Sequence, residues 1–298
     1  AVDDSGFVKN IVEKPEPGTE PSDLVNLVVH YFRDTERLIN SLKTVKSEKD
    51  DLYEVAIDKL ISEGFKIRPV VYDGYWQAIK YPWHARDIFK HFFDISGKPK
   101  ISKSAQVSDK AFIDGPVFID DDAKIMAGAS VKGPCYIGKG TIIATNSLVR
   151  DSNIGANCVI GFSTEIARSH IGDNVWTHSN YIGDSVIGND VSFGAGTVVG
   201  NLRLDEGVIS TDSNSSSSKV STGTNKWGLI TGDHIRVGVN TSFMPGVKIG
   251  GESYIGAGIV VSQDIPEKSF VRGEFKIKIS KNDRGFSDAS RSVMKKKL

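Results

Sequence analysis

The chain has 298 residues, 37 basic against 37 acidic, and a formal net charge of zero. That balance sets up no field to draw nucleic acid or an anionic membrane surface. No apolar run nears the ~20 residues of a membrane-spanning helix, and the length admits two domains of ordinary size.

Residues 1 to about 94 read as mixed α/β. Gly6 to Lys14 has the composition of a short strand and Leu24 to Phe32 that of a longer apolar one. From Asp50 to Gly64 apolar residues fall at Leu52, Val55, Ala56, Ile57, Leu60 and Ile61, the spacing of an amphipathic helix with Gly64 as its stop. Lys66 to Tyr72 is expected to be another strand and Trp83 to Phe93 a helix. The chain opens on Ala1-Val2-Asp3-Asp4 rather than on Met, which reads as the interior of a domain with something missing upstream.

From about residue 97 the pattern changes. Ile101, Val107, Ile113, Ile119, Ile125, Val131, Ile137, Ile143 and Val149 keep an unbroken register of six. After a five-residue step the beat resumes at Ile154, Ile160 and Ile166, and less regularly at Ile171, Ile182, Ile187, Phe193 and Val199. A second run follows at Thr231, Val237, Phe243, Ile249, Ile255 and Val261. Period six is neither the 3.6 of a helix nor the alternation of a half-buried strand. It is the spacing of a hexapeptide solenoid, in which each repeat makes a short strand and a turn and points one aliphatic side chain inward. Antiparallel hairpins would not hold one register over so many repeats. The register is lost from Leu202 to Leu229, where Ser-Asn-Ser-Ser-Ser-Ser at 213–218 predicts a mobile insertion. Residues 263–298 close the coil, and the basic group Arg291, Lys295, Lys296 and Lys297 reads as a solvated end. Cys135 and Cys158 lie inside the repeats in no metal pattern and read as shielded free thiols. With no secretory signal, the expected location is the cytoplasm.

The first segment resembles the second half of a sugar-1-phosphate nucleotidylyltransferase domain. The likeness lies in I-V-E-K-P-E-P-G-T-E-P-S-D-L-V-N (11–26), in the helix near 57–64 and in Y-D-G-Y-W-Q-A-I-K-Y-P-W (72–83). The resemblance implies a lysine near the sugar phosphate at Lys14 and a sugar-binding asparagine at Asn26. It also implies Trp-x-Asp-x-Gly, whose aspartate holds catalytic Mg2+. Here the sequence is Trp76-Gln77-Ala78-Ile79-Lys80, so Ala78 stands for the ligand and Lys80 for the glycine. No Gly-rich nucleotide loop is present either. Mg2+ is therefore expected only with an upstream nucleotidylyltransferase half, and nucleotide transfer is not expected of the chain as given.

The second segment resembles the left-handed β-helix acyltransferases, and among them the acetyltransferase domain of the glucosamine-1-phosphate acetyltransferase/uridylyltransferases, archaeal-type members included. The blocks that narrow it are W-T-H-S-N-Y-I-G-D-S-V-I-G (176–188), G-A-G-T-V-V-G-N-L-R (194–203) and N-K-W-G-L-I-T-G-D (225–233). The expected fold is thus mainly β: a left-handed parallel β-helix over 97–298, with an insertion at 202–229, preceded at 1–96 by a partial, degenerate α/β segment. Acetyl-CoA is the implied donor, an amino-sugar-1-phosphate the implied acceptor and a homotrimer the implied assembly, with no nucleic-acid or membrane partner.

Acetylating an amine requires loss of a proton, and imidazole titrates in the right range, which makes His178 the candidate base. The resemblance gives His178 the same role. It implies that Tyr181 contacts the sugar phosphate, that Asn201 bonds sugar or thioester, and that Lys226 supplies charge. Arg168 suits an oxyanion by two-point bonding, although it stands one position from the usual lysine. Archaeal relatives often carry a lysine where this chain has Gly207. His170 and His234 read as structural, and with His178 they do not make a three-histidine zinc pattern. Three readings stay open: a working acetyltransferase, a non-catalytic paralogue used as a structural or regulatory subunit, and a piece of an active bifunctional enzyme.

Overall fold

The computed structural model describes residues 1–48, 51–212, 219–283 and Lys296. The chain divides into two compact units, Ala1–Ala78 and Ile79–Leu298, so the expected boundary at 96/97 moves upstream and the helix before it belongs with the solenoid.

In the first unit, α1 (Thr35–Thr44) and α2 (Leu52–Ser62) pack on each other. The Asp34 side chain caps α1 by accepting from the Arg37 amide, which satisfies one of the free donors of the first turn. Ala56, Ile57 and Leu60 form the buried stripe of α2, and the buried Ser41 hydroxyl donates to the Ala56 carbonyl at 2.8 Å. The expected helix at 50–64 is therefore present, while α1 is an addition. The expected strands at 6–14, 24–32 and 66–72 are not formed; an isolated bridge joins Val2 to Val8, and one hydrogen bond runs from Val8 to Ile67. The middle segment shows why. Asn26 Oδ1 accepts from the amide two residues on, and Val28 adopts φ +54, so the extended run is broken at its centre.

The second unit is the expected parallel β-helix. Val107 pairs with Ile125, Ile125 with Ile143 and Ile143 with Ile160, each one coil above the last. Three faces result. One sheet of nine strands forms the first, and a thirteen-stranded sheet forms the other two, joined by the long bent strands Ser130–Ile137 and Leu148–Ile154. The five-residue step in the register falls inside the second of these. The inward aliphatics from Ile119 to Val199 are essentially sealed from solvent. Ile101 is 46% exposed, and Val107 and Ile113 are partly so, because the first coil has a neighbour on one side only.

Buried polar ladders hold the corners. Ser152 Oγ accepts from Ser169 N, Ser169 Oγ from Ser185 N, and Ser185 Oγ from Leu229 N, each at 3.0 Å. Cys158 occupies a rung of another such ladder. Its Sγ accepts from Val175 N and donates to the Gly172 carbonyl. Both cysteines are free and buried, and burial pushes the thiols up, to about 12 for Cys135 and about 11 for Cys158. They are rungs of the core rather than nucleophiles.

The insertion contains two strands among the described residues. Ser210–Asp212 and Lys219–Ser221 form an antiparallel hairpin, and Ile209, Trp227 and Leu229 are buried. The expected mobile run 213–218 lies outside the described residues, as do Arg291, Lys295 and Lys297 of the basic end. Helix α3 (His84–Ile95) is amphipathic and docks through Phe93 on Phe118 and, just before its first turn, Trp83 on Trp227.

Candidate functional site

The candidate residues of the second unit flank one three-residue strand, Tyr181–Gly183, which pairs with Glu165–Ala167 on one side and with Val198 on the other. His178 stands at the corner before it, directly after the strand Trp176–Thr177. Gly161 makes that corner possible: a Cβ there would lie 2.1 Å from the Thr177 carbonyl oxygen and 3.2 Å from His178 Cα. The next side chain but one is fixed, because the buried Asn180 amide donates to the carbonyls of Gly194 and Thr197. The His178 ring itself is exposed and makes no hydrogen bond among the described residues. A base with free nitrogens on a rigid corner can take a proton from an incoming amine.

A polar cluster occupies the corner after the same strand. Its centre is Asp184, only 1% exposed. Arg168 clamps it with two bonds of 2.7 Å, Nε to Oδ1 and Nη2 to Oδ2. Arg86 of α3 reaches Asp184 at 3.5 Å and Asp151 at 3.6 Å. The Asn201 side-chain amide donates both to Asp184 Oδ2 and to the Tyr181 hydroxyl. The bonds to Asp184, and the nearby Tyr181, hold the Arg168 guanidinium even more firmly protonated than usual. The Asn201 carbonyl accepts from Trp227 N, and Leu202 bridges to Lys226, so Lys226 lies next to Asn201 at the foot of the hairpin. Its ammonium is exposed and has no ion pair among the described residues.

Four of the five residues singled out in this unit, Tyr181, Asn201, Arg168 and Lys226, are thus gathered at one end of the strand. His178 is at the corner before the strand, three residues ahead of Tyr181. Asp184, Arg86 and the pair Arg150–Glu165, bonded at 2.8 Å, were not singled out. A signal for the first was present: Asp151, Arg168 and Asp184 recur at the same corner of successive coils, all with left-handed backbone. His170 and His234 are held locally. His170 accepts or donates to Asn153 at 3.0 Å with its pKa lowered by burial, and His234 pairs with Asp190, which raises its pKa.

The remaining two candidates lie in the first unit. Lys14 pairs with Glu13 at 2.9 Å, and Asn26 Oδ1 faces His30 Nε2 at 3.0 Å. The segment expected to hold Mg2+ offers Ala78 and Lys80 and no carboxylate between Trp76 and Lys80, so the residues present do not fit that ion.

Residues 95–204 match the family model of the GMPPB C-terminal domain. The chain is 35% identical to a bifunctional sugar-1-phosphate nucleotidylyltransferase/acetyltransferase of Sulfurisphaera tokodaii, over 91% of this chain and 66% of that protein. It is 33% identical to the bifunctional protein GlmU of Methanococcus maripaludis strain S2, over 91% and 65%. Among solved structures, a UDP-N-acetylglucosamine acyltransferase of Francisella novicida aligns at 15% identity over 56% of this chain and 62% of that one, with a TM-score of 0.39. The chain spans about two thirds of the length of the curated relatives it matches. By this identity, over nine-tenths of its own length, the chain belongs to the family of GlmU-like bifunctional sugar-1-phosphate nucleotidylyltransferase/acetyltransferases.

Proposed function

We propose that the solenoid transfers the acetyl group of acetyl-CoA to the amine of an amino-sugar-1-phosphate of the glucosamine-1-phosphate type, in cytoplasmic nucleotide-sugar synthesis. The observation that carries this reading is the polar track along one strand: the exposed His178 imidazole at one end, and Tyr181, Asn201 and the Lys226 ammonium, which has no ion pair among the described residues, at the other. The names of the relatives, which join sugar-1-phosphates with acetyl transfer, support it.

His178 takes the proton from the amine as its nitrogen bonds to the thioester carbonyl carbon. The carbon–sulfur bond then breaks, and the thiolate leaves and is protonated. General-base help of this kind is worth about 10²- to 10⁴-fold. The charge on the sugar phosphate is met by Lys226 and the Tyr181 hydroxyl. Arg168 has Nε–H and one N–H of Nη2 committed to Asp184, so it offers an oxyanion only the remaining N–H groups of its two Nη atoms. The first unit carries Lys14 and Asn26 but no Mg2+ ligand at position 78, and it is not assigned nucleotide transfer.

We further assign a homotrimer, whose clefts lie between neighbouring solenoids. Cyclic homo-oligomers are common, and light scattering that gives a monomer at micromolar concentration would remove the shared cleft. The activity is tested by mixing the chain with acetyl-CoA and glucosamine-1-phosphate or galactosamine-1-phosphate and following thiol release and the N-acetylated product. Release that vanishes in His178→Ala supports the assignment. A folded chain that acetylates neither sugar is a structural or regulatory subunit.

A further inference from the structure

Asp184 is a buried carboxylate with more partners than any other side chain of the cluster, and Asn201 links it directly to the Tyr181 hydroxyl. A carboxylate accepts hydrogen bonds and does not donate them. The Asn201 atom facing Asp184 must therefore be the amide nitrogen, which settles which way this amide points. Its second N–H donates to the Tyr181 hydroxyl at 3.1 Å. With both N–H groups used, Asn201 keeps only Oδ1, an acceptor, and this atom has no partner among the described residues. With its oxygen accepting from Asn201, Tyr181 keeps its own O–H as a donor.

We propose that Asp184, held by Arg168, is the positioning residue that sets the polarity of the substrate contacts: Asn201 accepts from a hydroxyl or amine of the sugar, and Tyr181 donates to a phosphate oxygen. This rests on the acetyltransferase reading for the identity of the ligand, but not for the arrangement itself. The backbone is built for it. A Cβ at Gly183 would lie 2.6 Å from the Tyr181 hydroxyl oxygen and 2.8 Å from Asn201 Nδ2, so glycine leaves room for the two side chains to meet over it. The cost of the buried charge is met by the two-point Arg168 clamp and by Arg86 at 3.5 Å. A site fixed in this way discriminates strongly, because a ligand with the opposite donor and acceptor pattern leaves polar groups unpaired.

The test uses the full chain and two readouts. The first needs no ligand: hydrogen exchange of the Asn201 side-chain amide, followed by NMR with 15N-asparagine. Protection of both protons in the parent and its loss in Asp184→Asn, whose own amide lets Asn201 turn over, is the expected result. An unprotected Asn201 in the parent overturns the proposal whatever the activity. The second is steady-state acetyl transfer. Asp184→Asn is expected to raise KM for glucosamine-1-phosphate about 10- to 100-fold, with kcat and KM for acetyl-CoA held within about threefold, the range of one or two lost hydrogen bonds. Asp184→Glu, which keeps an acceptor-only group, should recover part of the loss and guards against a variant that simply unfolds. An unchanged KM in folded Asp184→Asn overturns the positioning role. A protected Asn201 in a chain that acetylates nothing supports the polarity and sinks the acetyltransferase reading instead.

Discussion

The two units treat their apolar residues in opposite ways. Between Ile119 and Val199 of the solenoid every residue on the six-residue beat is sealed inside. In the first unit Val29 is 89% exposed, Tyr31 90% and Val70 90%, although their sequences have strand composition just as clearly. The difference is where the partner comes from. A coil finds its neighbour one repeat away along the same sequence, so the pattern that makes the strand also supplies its ladder. An ordinary strand needs a partner that its own sequence does not encode, and for 24–32 and 66–72 none is present among the described residues.

This contrast can be broken by mutation. The largest effect is expected in function. His178→Ala should cut acetyl transfer by about 10²- to 10⁴-fold with the solenoid's circular dichroism unchanged. An equal loss from a substitution at Lys14 would move the chemistry into the first unit. Next is stability. Ile160→Ala removes a fully buried rung and should cost about 2–5 kcal/mol in denaturant unfolding, against less than about 0.5 kcal/mol for Val29→Ala. Similar costs at the two sites would mean that Val29 is covered in solution.

Smaller effects sharpen the picture of the site. Gly183→Ala should displace the Tyr181 ring and raise KM for the sugar phosphate by about tenfold, the worth of one hydrogen bond, while acetyl-CoA kinetics stay put. The smallest expected change is with pH. Burial lowers the pKa of His170 below the ordinary 6.5, so the unfolded chain takes up a proton that the folded one refuses. Stability is then unaffected above 6.5 and falls as pH drops below it, until the folded-state pKa is reached. His170→Gln, which keeps an acceptor for Asn153, should flatten that acid limb; an unchanged limb would locate the sensitivity elsewhere, His30 of the first unit being shifted in the same direction.

What could be read beforehand follows the same division. The solenoid, its shielded cysteines and the helices near 52–62 and 84–95 were legible because periodicity is a local property. Helix α1 was not, although Asp34 ahead of Thr-Glu-Arg is an ordinary cap. His178, Tyr181 and Asn201 could be singled out from the blocks that carry them, and the structure adds how the last two meet. That Arg168 would be engaged by Asp184 was not legible from composition, because the pairing depends on which residues stack at one corner. The same holds for Arg86, which comes from a helix some hundred residues earlier. The serine run 213–218, read as mobile, lies outside the described residues, while Ile209, Trp227 and Leu229 of the same insertion are buried.

The division of labour between the units is tested most directly by titration calorimetry of the full chain with acetyl-CoA and, separately, with UTP and Mg2+. The solenoid should bind acetyl-CoA, and the first unit, with Ala78 where a metal-holding carboxylate is needed, should leave UTP unbound. Binding of UTP with Mg2+ would contradict the assignment of the first unit. No heat with acetyl-CoA, in the presence or absence of glucosamine-1-phosphate, would contradict the assignment of the second.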